Sequence, residues 1–535
     1  DLSVDRTDDD FDVATATGTD LTNRLQFRYA LEFKHGLFKD RFNTAAEPLL
    51  SFLSRPGTIG KVRDIKTLWI INAMAMTVEA GLVPELAQQD RVDRVSLDAA
   101  MSVPGTSSAS SAPGGWNLND IGADALWNLG IDGQGVVVAT LDSGVDYLHA
   151  DLGPRWRGGN NSWYDPFGQN PLPYDAAGHG TEVLGVILSG DATGASLGVA
   201  PGARWIAAKI YDNAGNGAYS TTHLAFQWVL DPDGNPATDD APDVVNNSWG
   251  FTQYTGACDA EFRPDIQALN AAGIAVVFSA GNSGPTGNTD LSPANEAVAS
   301  AVGAVDQNWS VANFSSRGPS ACTGGLFPEL SAPGVSIPTT GLSYGGIFPT
   351  MVSYASGTSL AAPHLAGGLA LLIDADPGAS LTDLKNALSA SALDIGPVGD
   401  DNDSGHGMLN LLGAYNVLTG GGGTSNPGSL QFDTGSVSVD EDAGSLTLTV
   451  TRVGGSDGTV TADYASSDGS ASAGVDYTAS AGTASLGDGV GSTVVNITIL
   501  DDGAVEGDED FSVTLSNPSG GATLGVEHVF GEPPT

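Results

Sequence analysis

The sequence predicts an α/β protein whose main domain is a parallel sheet flanked by helices, preceded by a small α+β region and followed by an all-β sandwich. Three observations predict it. Four continuous apolar runs, G-V-V-V-A-T-L-D (135–142), W-I-A-A-K-I-Y-D (205–212), D-V-V-N-N-S (243–248) and I-A-V-V-F-S-A (274–280), alternate with helical segments, as buried parallel strands do. Beyond G-G-G-G-T-S-N-P-G (420–428) the texture turns to Thr/Ser/Val alternation with turn residues, for example S-L-T-L-T-V-T-R-V, which is the pattern of a sandwich. Ahead of V-P-G-T-S-S-A-S-S-A-P-G-G (103–115) the order of patterns is β-α-β-α-β.

In chain order, residues 1–20 are acidic and rich in Asp and Thr, and are expected to be disordered. Residues 21–103 read as a compact unit. R-L-Q-F-R-Y-A-L-E-F-K is a strand, A-E-P-L-L-S-F-L a short helix and T-L-W-I-I-N-A-M-A-M a second strand. G-L-V-P-E-L-A-Q-Q then gives a helix and V-D-R-V-S-L a last strand. Residues 104–115, rich in Ser, Gly and Pro, are a flexible connection open to cleavage. The α/β domain occupies 116–418, a Gly-rich linker 419–428 and the sandwich 429–535.

The chain has 535 residues, too many for one core, and 41% of them are hydrophobic. Its 63 acidic and 20 basic residues give a formal net charge of −43. Such a polyanion repels nucleic acid and anionic membrane surfaces, so neither is expected as a partner. The charge fits simple solubility or adaptation to salty surroundings, where screening relieves self-repulsion. No apolar run of 18 residues occurs, so no transmembrane helix is expected. The chain opens Asp-Leu-Ser without an apolar signal core, the expectation for a secreted protein whose signal is already missing. Cys258 and Cys322 are read as one disulfide, with two buried thiols as the alternative.

Chemistry gathers at the carboxyl ends of strands in parallel sheets. Asp142 ends one apolar run and Asn282 follows another. Ser359 opens the apolar helix S-L-A-A-P-H-L-A-G-G-L-A-L-L, where the positive helix end favours a developing oxyanion. In D-A-A-G-H-G-T-E-V-L-G (175–185), His179 and Glu182 read as a metal pair, a base with a neighbour, or an ordinary helix start. Taken singly, a capping Asp, a helix-start His, a turn Asn and an N-cap Ser are bland; an Asp, His, Asn and Ser together make an acyl-transfer site.

D-S-G-V-D, G-H-G-T-E-V, S-A-G-N-S-G and G-T-S-L-A-A-P-H resemble the four signature segments of subtilisin-like serine peptidases, in that family's order of Asp, His, Asn, Ser. The likeness spans about 116–418, and A-P-G-A-R-W-I-A-A-K-I and D-V-V-N-N-S-W-G-F resemble the bacillopeptidase F-like branch. The resemblance implies Ser359 as nucleophile, His179 as base, Asp142 as its orienting partner and Asn282 as oxyanion donor. It implies that Ser248-Trp249-Gly250 and Ser279-Ala280-Gly281 bind an extended substrate backbone. It also implies that the N-terminal α+β region is an inhibitor-like prosegment, with a processing site within Ala99–Gly115. Where the family most often has a second His, this chain has Glu182, expected to be a first-turn residue with a reciprocal capping bond.

V-S-V-D-E-D-A-G, S-A-G-V-D-Y, I-T-I-L-D-D-G-A-V-E-G-D-E-D-F and V-T-L-S-N-P-S resemble a Calx-beta domain. Residues 429–535 carry 17 acidic side chains against Arg452 alone. The resemblance nominates Glu441, Asp476, Asp501, Asp502, Glu506 and Glu509 as calcium ligands. In the α/β domain, the loop D-P-D-G-N-P-A-T-D-D offers Asp231, Asp233, Asn235 and Asp239 as a second calcium set, although EF-hand spacing is incomplete, no glutamate closes the loop and a solvated acidic turn is the favoured reading.

Together these readings describe a secreted, monomeric, self-processing serine endopeptidase acting on proteins or peptides, inhibited in cis by its own prosegment, with calcium in a structural role. The alternative is a non-catalytic binding or adhesive protein on a degenerate peptidase scaffold. A metallopeptidase ranks third, since no H-E-x-x-H occurs.

Overall fold

The computed structural model describes residues 2–5, 46–89, 92, 94–105, 107–108, 115–194, 196–419, 427–434, 436–453, 455, 459–487, 490–501 and 509–525. The expected strand over R-L-Q-F-R-Y-A-L-E-F-K lies outside them, as do Asp502, Glu506 and most of both linkers. The chain divides into two units, residues 1–419 and 420–535.

The N-terminal part of the first unit is a four-stranded sheet with two helices. Strand β1 (Leu2–Asp5) lies between β3 and β4, a helix α1 covers 46–53, and β2 (Val62–Leu68), β3 (Ala73–Val78), α2 (Val83–Leu86) and β4 (Arg94–Leu97) complete it. Two expectations change. Residues 1–20 are expected to be disordered, yet within them Leu2–Asp5 pair antiparallel with both neighbours, because an extended segment there satisfies two open strand edges at once. The single strand expected over T-L-W-I-I-N-A-M-A-M is a hairpin, broken at Asn72, whose left-handed φ of 55° reverses the chain after a short 3-10 turn at Trp69–Ile71. Next come β5 (Ala100–Ser102) and β6 (Ser107–Ser108), which belong to neither this sheet nor the main one.

The main domain begins with α3 (Trp116–Asp120) and α4 (Ala123–Asn128). Its seven-stranded sheet is built from β7 (Val137–Asp142), β8 (Trp163–Tyr164), β9 (Arg204–Lys209), β11 (Val244–Asn247), β12 (Ala275–Ser279), β13 (Ser300–Val305) and β14 (Leu330–Pro333). The spatial order is β14-β13-β12-β11-β7-β9-β8, and every pair is parallel. Between strands run α5 (His179–Leu188), the short β10 (Asn216–Ala218), α6 (Tyr219–Leu230) and α7 (Arg263–Ala271). The hairpin β15 (Ile337–Thr340) and β16 (Val352–Ser356) leads into α8 (Thr358–Ala375), followed by α9 (Leu381–Ser391) and α10 (Leu411–Leu418).

Both faces of the sheet are buried, which is why its strands read as unbroken apolar runs. Val138 and Val277 pack with Leu184, Leu365 and Leu369 of α5 and α8 on one face. Ala139, Leu141, Val276 and Phe278 pack with Phe226 and Ile266 of α6 and α7 on the other, in a core that continues into Phe52, Trp69 and Met74 of the N-terminal part. Helix α8 is long and apolar enough to cross a membrane, but 89% of it is buried at the centre of this domain.

The second unit is a sandwich of two antiparallel-rich sheets, β21-β18-β17-β23 and β20-β19-β22, from β17 (Ser429–Phe432), β18 (Ser445–Val453), β19 (Val460–Asp468), β20 (Ala481–Leu486), β21 (Ser492–Thr498), β22 (Phe511–Ser519) and β23 (Thr523–Leu524). Alternate residues such as Leu446, Leu448 and Val450 point into its core.

Candidate active site

Asp142 is the last residue of β7 and His179 the first of α5. Their approach depends on Gly180: a Cβ there would lie 2.2 Å from Gly144 O and 3.1 Å from Asp142 Cβ. His179 Nδ1 donates to Asp142 Oδ1 at 2.7 Å, and the Ser143 N–H donates to the same oxygen at 2.6 Å. Both side chains are buried. Burial opposes the imidazolium, but Asp142 above all, with Glu182 and Asp175, outweighs it and raises the His179 pKa. Asp175 in turn accepts from Ser143 Oγ, Thr181 Oγ1 and three backbone N–H groups, which fixes the turn entering α5.

Ser359 sits in the first turn of α8. Its Oγ donates to Ser248 O at 3.2 Å, and Ser248 Oγ donates to Ser359 O at 2.9 Å. His179 Nε2 is buried without a hydrogen-bond partner, ready to accept a proton. Asn282 Oδ1 accepts from Thr358 N and Thr358 Oγ1, both at 2.9 Å, which orients its amide. A Cβ on Gly357 would stand 3.4 Å from Asn282 Nδ2 and 3.7 Å from Ser359 N, so both donors border the same bare spot.

A cleft of about 550 Å³ contains Ser359 and Asn282 and is walled by Ser248, Trp249, Gly250, Ser279 and Gly281. Ala280, expected on this wall, is fully buried in the core beneath it, because successive residues of an extended segment face opposite sides. Residues 100–105 of the chain line the same cleft. β5 pairs antiparallel with β10 (Met101↔Gly217), the Val103 N–H bonds Gly215 O at 3.1 Å, and on the far side Ser107 and Ser108 pair with Ser356 and Ala355 of β16. Met101 is buried with Tyr219 and Phe251.

The N-terminal part is also held by charge. Asp98 accepts from Ser220 N (2.9 Å) and Ser220 Oγ (2.6 Å), capping α6 from outside the helix. Arg94 bonds Glu261 at 3.1 Å. Glu261 and Asp265 flank the fully buried His223 at 3.3 and 2.9 Å; although burial opposes its charge, the two carboxylates push its pKa up to about 9. The other buried histidine, His364, bonds Leu360 O and Asn117 Nδ2, and burial takes its pKa down to about 4. None of these contacts leaves a local motif in the sequence.

Glu182 does not form the expected reciprocal cap. Gly178 at the N-cap has no side chain to reciprocate, and Glu182 Oε1 instead accepts Ser353 Oγ of β16 at 2.7 Å. Cys258 and Cys322 form a disulfide. Of the acidic loop, Asp231 and Asp233 converge with Asp240 rather than Asp239, each offering a ligand atom within 4.8 Å of the others, and the Asn235 amide donates to Thr238 Oγ1. In the sandwich, Glu441, Asp476 and Asp501 share one end, where Ile499 N bonds Gly444 O and Leu500 N bonds Asp476 O. Among the described residues no trio of carboxylates, Glu509 included, converges there.

The Calx-beta domain model matches residues 424–532 and the Subtilase family model residues 133–413. Bacillopeptidase F of Bacillus subtilis (strain 168) is 33% identical over 431 residues, which cover 74% of this chain but 29% of that protein. Subtilisin E of the same organism is 32% identical over 364 residues, 66% of this chain and 83% of that protein. Subtilisin DY of Bacillus licheniformis is 35% identical over 298 residues, 55% of this chain and 96% of that protein. With its buried Asp–His pair, its serine at a helix start and these likenesses, the chain belongs to the subtilase family, the family of the subtilisin-like serine endopeptidases.

Proposed function

We propose that the chain is a secreted, monomeric serine endopeptidase made as a self-processing precursor. The observation that carries the reading is the buried 2.7 Å Asp142–His179 pair, together with a cleft lined by Ser359, Asn282 and the chain's own residues 100–105. In the reaction, Ser359 Oγ leaves Ser248 O, gives its proton to His179 Nε2 and attacks the scissile carbonyl. Asn282 Nδ2 and the Ser359 N–H take the developing oxyanion. His179 returns the proton to the leaving amine, then accepts one from the water that splits the acyl-enzyme, while Asp142 stabilises the imidazolium throughout.

The precursor's own bond to be cut is Pro104–Gly105. Ladder pairing ends upstream at Val103 and resumes downstream at Ser107, and Pro104 and Gly105 lie between, in the cleft with Ser359 and Asn282. The N-terminal part then acts as an intramolecular inhibitor, held by β5, Asp98 and Arg94. Expression of the wild type and Ser359→Ala tests this: the wild type yields a mature N-terminus at Gly105 and hydrolyses casein until a sulfonyl fluoride is added. Ser359→Ala stays one chain and is inactive. A wild type that stays one chain and leaves casein intact would favour the non-catalytic scaffold reading, and casein hydrolysis that survives in Ser359→Ala would end this mechanism.

Calcium fits the residues of the main domain in a structural role. Asp231, Asp233 and Asp240 would supply hard oxygen ligands to brace the loop after α6. A melting temperature that falls on chelation, and returns with calcium but not with sodium, supports this role.

A further inference from the structure

We propose that Leu291 sets the substrate preference of the cleft by restricting the residue that donates the scissile carbonyl to short side chains. The inference rests on Ser359 being the nucleophile. β11 and β12 are neighbouring parallel strands, with Asn247 opposite Phe278, and both run out into the cleft as Ser248–Gly250 and Ser279–Gly281. Two glycines face one another across these segments, and two missing side chains leave a slot beside Ser359.

Leu291 occupies it. A Cβ on Gly281 would lie 2.4 Å from Leu291 Cδ1 and 2.7 Å from its Cγ; a Cβ on Gly250 would lie 3.5 Å from Leu291 Cβ and 3.6 Å from Cδ1. The isobutyl group therefore fills the space the glycines vacate, and its 3% exposure shows that it is packed on all sides but the cleft. Ser316 Oγ, 2.8 Å from the same point on Gly281, closes the remaining side and is itself pinned by the Ser283 N–H. Gly281 is fixed in turn by its N–H bond to Thr358 Oγ1, so the wall is tied to the residue before the nucleophile. With both walls and the floor held, an alanine or proline side chain enters, while a phenyl ring collides with Leu291. The chain's own cleft segment agrees: Pro104 and Gly105, both small residues, line the cleft together with Ser359, while the one large side chain of that segment, Met101, is buried with Tyr219 and Phe251.

The test uses the processed full-length protein and quenched peptides of one sequence, Met-Ser-Val-Xaa, in which Xaa is Ala, Leu or Phe. The wild type is expected to favour Ala over Phe in kcat/KM by more than about tenfold. Leu291→Ala should reverse or abolish that ratio, chiefly by raising kcat/KM for the Phe peptide. Leu291→Val, which keeps a branched apolar side chain, should move the ratio the same way by less and guards against a variant that fails to fold. A wild type that prefers Phe, or an Ala/Phe ratio unmoved in both variants, overturns the assignment while leaving the peptidase reading intact. No cleavage of any peptide by the wild type overturns the nucleophile, and this proposal with it.

Discussion

Asn282 has two jobs that different substitutions separate. Its Oδ1 accepts two hydrogen bonds from Thr358, a residue with no exposure, and its Nδ2 borders, with Ser359 N, the bare spot at Gly357 where the oxyanion is proposed to form. Asn282→Leu removes both functions at nearly constant volume. The lost donor should cost roughly 100- to 1,000-fold in kcat with little change in KM, because the charge it meets exists only in the transition state. The lost acceptor strands two buried donors of Thr358, at about 1–3 kcal/mol each before relaxation, which predicts a melting temperature lower by about 4–10 °C. Asn282→Asp keeps an acceptor for Thr358 and replaces the donor by a negative charge. It should lose at least as much kcat as Asn282→Leu while melting within about 2 °C of the wild type. The assay is kcat and KM on one peptide with calorimetric melting of the same samples. If Asn282→Asp melts as low as Asn282→Leu, or keeps more than a tenth of wild-type kcat, the division of labour drawn from these bonds is wrong.

Other outcomes follow from other contacts. Glu182 is one of the charges that raise the His179 pKa, so Glu182→Gln should move the acid limb of the kcat/KM profile to lower pH, with the plateau within about tenfold of wild type; an unmoved or rising midpoint contradicts this. His364, with a folded-state pKa of about 4 against about 6.5 unfolded, stabilises fully above pH 6.5 and loses about 3 kcal/mol as pH falls to 4; His364→Gln should flatten that acid limb of melting temperature. His223 has the opposite sign: its contribution is complete below about pH 6.5 and is lost as pH rises through about 9, so His223→Gln should flatten the alkaline limb. The Cys258–Cys322 bond spans 64 residues of sequence, and its double Ser variant should lose about 4 kcal/mol of stability and become indifferent to reductant.

Much of the main domain was legible because its strands are buried on both faces. The run I-A-V-V-F-S-A contains Ala275–Ser279 of β12, and G-V-V-V-A-T-L-D contains Val137–Asp142 of β7. The candidate site residues Asp142, His179 and Ser359 stand at element ends, as expected, inside short segments where close approach calls for glycine, as at Gly180. What escaped depends on partners far along the chain. Glu182 meets Ser353 across 171 positions, Asp98 caps a helix 122 positions away, and Leu291 fills room left by two glycines just beyond the ends of two different strands. The acidic loop shows the same limit at short range, since Asp240 rather than Asp239 turns inward and no periodicity marks which of two adjacent aspartates will do so.

The two-residue strand Ser107–Ser108 on β16 bears on when processing becomes irreversible. After the proposed cut, the new amine at Gly105 is born two residues from that pairing, within reach of the acyl carbon it has just left. While the pairing holds, aminolysis competes with water and the cut can reseal. Commitment then lies in the peeling of one short strand, so the durability of the break is governed by a conformational departure rather than by bond chemistry.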